Sequence, residues 1–422
     1  MHYNFPYPNL PGLEIDERNE TKIYEVKAEF QPEDPLRLIE QSLARPIGME
    51  RFSRILHPGS KILIIIDDIS RPTPVRLILP PLLAELGRAG VQAANIRFLI
   101  ALGTHRPMTA AEIEQKVGPE IARNYLVLNH EWENPAALHD YGRLDDGTPV
   151  ILNRQMALAD FVIGVGSIAP HPAAGFSGGG KIIAPGVATE AAVGEFHWKS
   201  VQFPEREVLG VRDNPMRRII DAIAAKAGLS AIVNVIADGR QRVVKVVTGA
   251  SVQAHRLGCE YALGLFGARI DPAWRADIYI ADSHPMDQEM WQAVKGMCAL
   301  DVVAPDGAVV ILVTPCPEGV SQMHPEILKY GYVSLAEADR LIREENLSKV
   351  AAHNMVQGGR LVRRTTAFLV SPGVGPAEAE RLGFRSFATP QSALDAALRL
   401  KGDRARIAIL RMGGDLCPIV SG

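Results

Sequence analysis

The 422-residue sequence has little cysteine: Cys259, Cys298, Cys316 and Cys417 are scattered, with no CxxC spacing among them. That excludes a readable disulfide framework and a cysteine zinc site, and it fits a reducing compartment. Neither sign of charge is in excess. Lysine plus arginine number 45 against 48 aspartate plus glutamate, a formal net charge of −3. Without a basic surplus there is little counterion release to gain, so neither nucleic acid nor an anionic membrane is an expected partner. Long apolar runs are also missing, none approaching the roughly 20 residues that span a bilayer. The stretch from Met1 to Pro8 lacks a basic region followed by an apolar one, and the chain reads as cytoplasmic. The 37 glycines and 30 prolines follow no period, which implies tight turns between short elements, not a linker or a collagen-like array.

What is present is the balance of a folded protein, with 47% apolar and 22% charged residues. The length favours two domains and a cleft between them as the place for chemistry. Short apolar runs alternate with helical patterns. Lys61 to Asp67 reads as a buried strand followed by a helix over Pro74–Ala89, and Ile96–Ala101 as another followed by a helix over Met108–Val117. Asp160–Val165 and Leu229–Ile236 continue the series, and a second begins with Asp277–Ala281, Gly307–Val313 and Thr366–Val370. The fold expected is α/β in two lobes, each a mostly parallel sheet flanked by helices. Residues 1–266 with 402–422 are expected to form the larger lobe and 267–401 the smaller, with Ser251–Phe266 as the bridging helix. A final strand over Arg406–Leu410 is assigned to the first lobe, and the Cys417-Pro418 end to loop.

Chemistry-bearing residues concentrate just after strands, where such sheets present ligands. Asp67-Asp-Ile-Ser-Arg-Pro-Thr-Pro74 holds acids, hydroxyls and an arginine whose planar fork suits a carboxylate or phosphate. The simpler reading makes Ser70 or Thr73 a helix cap and pairs Arg71 with Asp67 or Asp68. Ala101 to Pro107 offers His105, a histidine type more often found at a surface. The run from Gly166 to Lys181 can cradle a phosphate on backbone N–H groups. Its Gly175-x4-Gly180-Lys181 matches most of a nucleotide P-loop, but Ile182 stands where that loop needs a magnesium-binding hydroxyl. Lys181 therefore points to a phosphate-bearing cofactor, held covalently, more than to an ATPase. His197, 16 residues on, is a metal-ligand type without protein co-ligands nearby, so any metal needs donors from elsewhere.

In family order, Asp-Asp-x-Ser-Arg-Pro-Thr-Pro, Gly-Thr-His-Arg, His-Pro-x4-Ser-Gly-Gly-Gly-Lys, Glu-Phe-His-Trp and Gln292-Ala-Val-Lys295 resemble the nickel-pincer lactate racemase family. The resemblance covers most of the chain. It implies a racemase or epimerase of a 2-hydroxy acid, lactate or a related 2-hydroxycarboxylate, with the active site between two α/β lobes. It implies a nickel-pincer nucleotide (pyridinium-3-thioamide-5-thiocarboxylate mononucleotide) tethered to Lys181 through a thioamide, with Ni(II) held by the pincer and by His197. Asp68, Ser70, Thr73, Ser177, Gly178, Gly179 and Gly180 would hold the cofactor's phosphate and ribose. His105 and His171 would be the acid–base pair, and Arg71, Gln292 and Lys295 would bind substrate, with enzymes that build the cofactor as partners. Trp291 is a candidate wall for the substrate side chain. The other histidines, His324 and His353 among them, lack such context, except that His284, before Pro285 at the end of the Asp277–Ala281 strand, is placed to face the cleft without being assigned a role. Two rival readings are a cofactor carrier that does not racemise, which needs neither base, and a pyridoxal-phosphate enzyme, which leaves His197 unused.

Overall fold

The computed structural model describes residues 1–26 and 33–420, framed on two six-stranded sheets. In the first sheet the order is Val243–Ala250, Leu229–Ala237, Phe161–Ser167, Ile62–Asp67, Ile96–Ala101, Leu126–Asn129. Neighbours run parallel except the edge strand Val243–Ala250, which pairs antiparallel. Ile62 to Ile66 are at most 2% exposed, so both faces are covered, the condition under which a parallel strand is an unbroken apolar run. Val75, Ile78 and Leu82 of helix Val75–Arg88 cover Ile62 and Ile64, while Cys259 and Ala262 of helix Ser251–Phe266 lie on the side of Leu63 and Ile65.

The second sheet is parallel throughout, in the order Arg385–Ser386, Thr366–Val370, Val309–Val313, Ile278–Asp282, Ile407–Leu410, Thr21–Tyr24. The last expected strand thus exists but lies in this sheet, beside Ile278–Asp282, and not in the first lobe. Ile407 and Ile409 pack with Ile278, Leu394 and Ala397, whereas Ala408 and Leu410 face a second cluster with Tyr279 and Met297. A strand apolar on both faces carries no mark of which sheet it will join. The expected terminal loop is also ordered: Cys417–Val420 pairs parallel with Gly267–Ile270. Pro418 masked it, yet a short edge strand tolerates a proline whose missing N–H needs no partner.

An apolar cluster runs across both lobes, joining Leu99, Val187 and Val201 to Met290, Leu312 and Met355. All four cysteines are buried and unpaired. Among the described residues no helix is long and apolar enough to cross a membrane. In each sheet one strand, Ile62–Asp67 or Ile278–Asp282, is flanked on both sides by strands that follow it in the chain. Loops leaving such strands diverge and open a crevice at their carboxyl ends.

Candidate active site

Asp67 ends the central strand of the first sheet, buried, with Lys116 Nζ 2.8 Å from its Oδ1. Burial pushes the Asp67 carboxyl up against the pull of that ammonium. Lys116 also donates to the carbonyls of Asp68 and Arg71 at 2.7 and 2.9 Å, so one lysine pins the whole loop. Thr73 Oγ1 donates to Asp67 Oδ2, and Ser70 donates to Asp68 Oδ1 through its backbone N–H and its hydroxyl. Both hydroxyls are engaged within the loop, and neither caps the next helix, whose N-cap is Pro74. Asp68 Oδ2 meets His105 Nδ1 at 2.6 Å. Bonds from His105 and Ser70 outweigh desolvation and hold the Asp68 carboxyl low. An ionised carboxylate only accepts, so His105 Nδ1 carries a proton, and in the neutral ring the lone pair is on Nε2. With Lys116 and His105 as the partners of the two aspartates, Arg71 is left exposed.

The glycine-rich loop is held from beneath. Gly179 N donates to Asn234 Oδ1 at 2.8 Å, His255 Nε2 lies 3.0 Å from Ser177 O, and fully buried Arg217 donates to the carbonyls of Phe176 and Gly178. Ser177 Oγ is likewise engaged, donating to Ser167 O and accepting from Ala169 N, each at 2.9 Å. Gly178 and Gly179 have φ of +73° and +58°, and a Cβ would lie 2.7 Å from Ile168 Cγ1 at the first and 2.7 Å from His255 Cδ2 at the second. Only glycine meets both the left-handed backbone and the close approach. A Cβ at Gly180 would lie 2.8 Å from Ala224 Cβ. Packing within the protein alone thus accounts for these three glycines. The loop closes in the turn Gly179–Ile182, which carries Lys181. Burial, then Arg71, Lys295 and Arg217, push the Lys181 amine well below the usual lysine range.

His171 sits on a short ribbon, Pro170–His171 against Gly175–Phe176. Its Nδ1 accepts the Ala173 N–H at 3.1 Å, so the neutral ring carries its proton on Nε2. Burial, then Lys181, Lys295, Arg71 and His197, push this imidazole well below its ordinary value. The neutral rings therefore differ in tautomer, His105 with its proton on Nδ1 and His171 with its proton on Nε2.

His197 lies on helix Glu190–Ser200 with Nδ1 2.8 Å from the Val193 carbonyl, which leaves Nε2 free, the arrangement of a metal-ligating imidazole. Burial pushes it down to about 4. Among the described residues no three His, Cys, Asp or Glu converge to hold a metal, so a metal at His197 would need donors from a bound group. From the second lobe, Gln292 and Lys295 lie one turn apart on helix Met290–Val303 and share a face. Lys295 Nζ is 3.4 Å from Met286 Sδ, and burial with Arg71 pushes its ammonium down to about 8. Trp291 stacks on His324 with ring centroids 3.9 Å apart, and its carbonyl accepts from Asn354 Nδ2 at 2.8 Å.

The charges of Arg71, Lys181 and Lys295 all bear on His171, and those of Lys181 and Arg71 on His197. Segments distant in sequence, from both lobes, thus converge. Sequence reasoning missed His353, 8% exposed, whose ring lies 5.0 Å from that of His197 and whose Nε2 has no partner. It is one histidine in an ordinary helix, Lys349–Val362, with no motif around it. The supporting roles of Lys116, Arg217 and Asn234 were equally invisible, since each acts through a fold contact.

The lactate racemase N-terminal domain family matches residues 10–208, and the lactate racemase C-terminal domain family residues 272–416. The lactate racemase of Thermoanaerobacterium thermosaccharolyticum is 32% identical over 314 residues, 74% of this chain and 72% of that protein. The lactate racemase of Lactiplantibacillus plantarum is 33% identical over 288 residues, 67% and 66% of the two chains. The structure of the T. thermosaccharolyticum lactate racemase apoprotein superposes with a TM-score of 0.89 at 26% identity, covering 99% of this chain and all of that one. A Thermotoga maritima protein at 22% identity shares the fold, with a TM-score of 0.69 over 93% of this chain and 100% of its own. Fold, site and relatives define a two-lobed α/β isomerase of the racemase class. The chain belongs to the lactate racemase family.

Proposed function

We propose that the chain racemises or epimerises a 2-hydroxy acid, lactate or a related 2-hydroxycarboxylate, using a nickel-pincer nucleotide bound covalently to Lys181. The observation that carries the reading is the convergence of two histidines with opposite ring nitrogens engaged by the protein, together with Arg71, Lys181 and Lys295. The residues fit such a group. Lys181 is a half-buried amine pushed by its surroundings toward its neutral, nucleophilic form, as an amide-type tether requires. His197 offers one oriented nitrogen, and a pincer would bring the other donors to nickel. The loops of Asp68, Ser70 and Thr73 and of Ser177 to Gly180 would frame its phosphate and ribose.

When bound, the cofactor would supply a hydride acceptor, so that the C2 hydrogen leaves with its electron pair and no carbanion forms beside the carboxylate. The remaining work falls to side chains. Arg71 and Lys295 anchor the substrate carboxylate, and Gln292 steadies the oxygen on C2. His105 Nε2 takes the hydroxyl proton, and Asp68 stabilises the resulting imidazolium. His171 would serve the opposite face, as a base through Nε2 only in the tautomer that carries its proton on Nδ1 and as an acid only as the imidazolium, since a neutral ring that gave up its Nε2 proton would be left as an imidazolate.

The deciding experiment is intact-mass and metal analysis of protein co-produced with the cofactor-building enzymes. A covalent adduct at Lys181 and stoichiometric nickel are expected; unmodified Lys181 in a racemising enzyme would sink the proposal. A sharper variant is Asp68→Asn, whose amide would donate to His105 Nδ1 and move the ring proton to Nε2. The adduct should persist while kcat falls by about 10²–10⁴-fold. Unchanged kcat would mean that His105 is not the base.

A further inference from the structure

Away from these residues, a second polar junction lies where the lobes meet. Glu205 begins helix Glu205–Val208, just after the His197 helix, and is 2% exposed. Its Oε1 accepts from Gln357 Nε2 at 3.1 Å and from Arg360 Nη1 at 3.3 Å, both on helix Lys349–Val362 of the second lobe. Arg360 also donates to the carbonyl of Val201, the C-cap of the His197 helix. Cys298, one turn beyond Lys295 on helix Met290–Val303, is a third neighbour of the carboxyl. His353, Gln357 and Arg360 follow at i, i+4 and i+7, so one stripe of the Lys349–Val362 helix meets both His197 and Glu205. A further inter-lobe ion pair, Lys349 with Glu195, is largely exposed and adds little.

A buried ion pair is weak evidence for stability, because desolvation offsets the attraction, and its best-attested use is to fix geometry. Glu205 is placed for that use. It is the carboxylate on which the helix of His197, the helix of Gln292 and Lys295, and the helix of His353 meet.

We propose that Glu205 is a positioning residue: gripped by Arg360 and Gln357, it sets the His197 helix against the Lys295 helix and so fixes the separation of the lobes across the active site. The catalytic consequence rests on the racemase reading; the geometric one does not. The charged and titratable groups facing Glu205 are Arg360 from one helix and Asp301 and Cys298 from another, with Asp301 itself held by Arg364 at 2.8 Å. Burial pushes the Glu205 carboxyl from 4.5 up to about 7, with Arg360 pulling it down and Asp301 adding to the rise. A carboxyl that holds its proton more tightly when enclosed makes lobe engagement take up a proton in that window. That contribution to engagement is therefore full below about 4.5, lost as pH rises through about 7, and absent above it.

The test uses the full chain. The native cysteines are buried, so spin labels can be placed selectively on a Leu126→Cys, Leu400→Cys pair, at positions 51% and 59% exposed, one in each lobe. Inter-lobe distances are then read without cofactor at about pH 6 and about pH 8, on either side of the Glu205 midpoint. With native Glu205 a narrow distribution is expected at the lower pH and a broader one at the higher. Glu205→Gln keeps an accepting oxygen and should stay narrow at both; Glu205→Ala should be broad at both. In loaded enzyme the alanine variant should lose about tenfold to a hundredfold in kcat/KM with its adduct intact, and glutamine should restore most of it. If the alanine variant does not fold, Arg360→Lys takes its place, keeping the charge but losing the forked grip, and should also be broad. Equal distributions in native and alanine (or Arg360→Lys) proteins, a pH response that survives in Glu205→Gln, or unchanged kcat/KM in the variant would each overturn the proposal. If loaded native enzyme racemises no 2-hydroxy acid, the racemase reading alone fails, and the distances still decide the role of Glu205.

Discussion

A Lys181→Ala protein co-produced with the cofactor-building enzymes is expected to emerge with no covalent adduct, no stoichiometric nickel and no racemisation above background. The loss should be that of the whole catalysed rate, on the order of 10⁶-fold or more, because the remaining side chains can move a proton but cannot accept the hydrogen on C2. Lys181→Arg serves as the companion. It keeps a positive charge beside His171 and cannot form the thioamide, so it should fail equally and separate the tether from mere electrostatics. Intact mass is the primary readout, since it does not depend on knowing the substrate. An adduct of unchanged mass on the alanine variant would contradict the tether outright.

The second large effect is expected at the histidines. His105→Ala and His171→Ala should each keep adduct and nickel yet lose about 10²–10⁴-fold in kcat, followed as decay of optical rotation from each pure enantiomer. The double variant should be little worse than either single one, because groups that serve one proton-transfer cycle do not contribute additively. Near-native turnover in both single variants would refute the acid–base assignment. The structure adds a distinction that spacing could not supply. His105 is backed by a buried carboxylate, whereas His171 has its Nδ1 occupied by a backbone N–H. Asp68→Asn should therefore reproduce most of the loss of His105→Ala and leave the environment of His171 untouched.

The two-lobed fold was legible because buried parallel strands such as Ile62–Asp67 write themselves as apolar runs ending in polar punctuation. The same property hid the sheet of Ile407–Leu410, since burial on both faces looks alike in either lobe. The candidate site was legible wherever special residues crowd a strand end, as at Asp67–Thr73 and Gly166–Lys181. It was illegible wherever a role depends on a contact between distant segments. Asp68 could be singled out, but its bond to His105 joins positions 37 residues apart. His353 and Glu205 carry no local signature, and only the meeting of three helices gives either a place near His197 or Lys295.

The surplus of positive charge around His171 has a further consequence. After burial, Lys181 is the strongest influence holding that imidazole neutral. If Lys181 carries the proposed tether, converting its amine into an amide would remove whatever positive charge it bears and with it that influence on His171. Before anchoring, Arg71 and the partly protonated Lys295 would favour an anionic, phosphate-bearing precursor in the crevice. On the proposed reading the unloaded chain would favour capture of the cofactor and the loaded one turnover, with a single covalent bond separating the two settings.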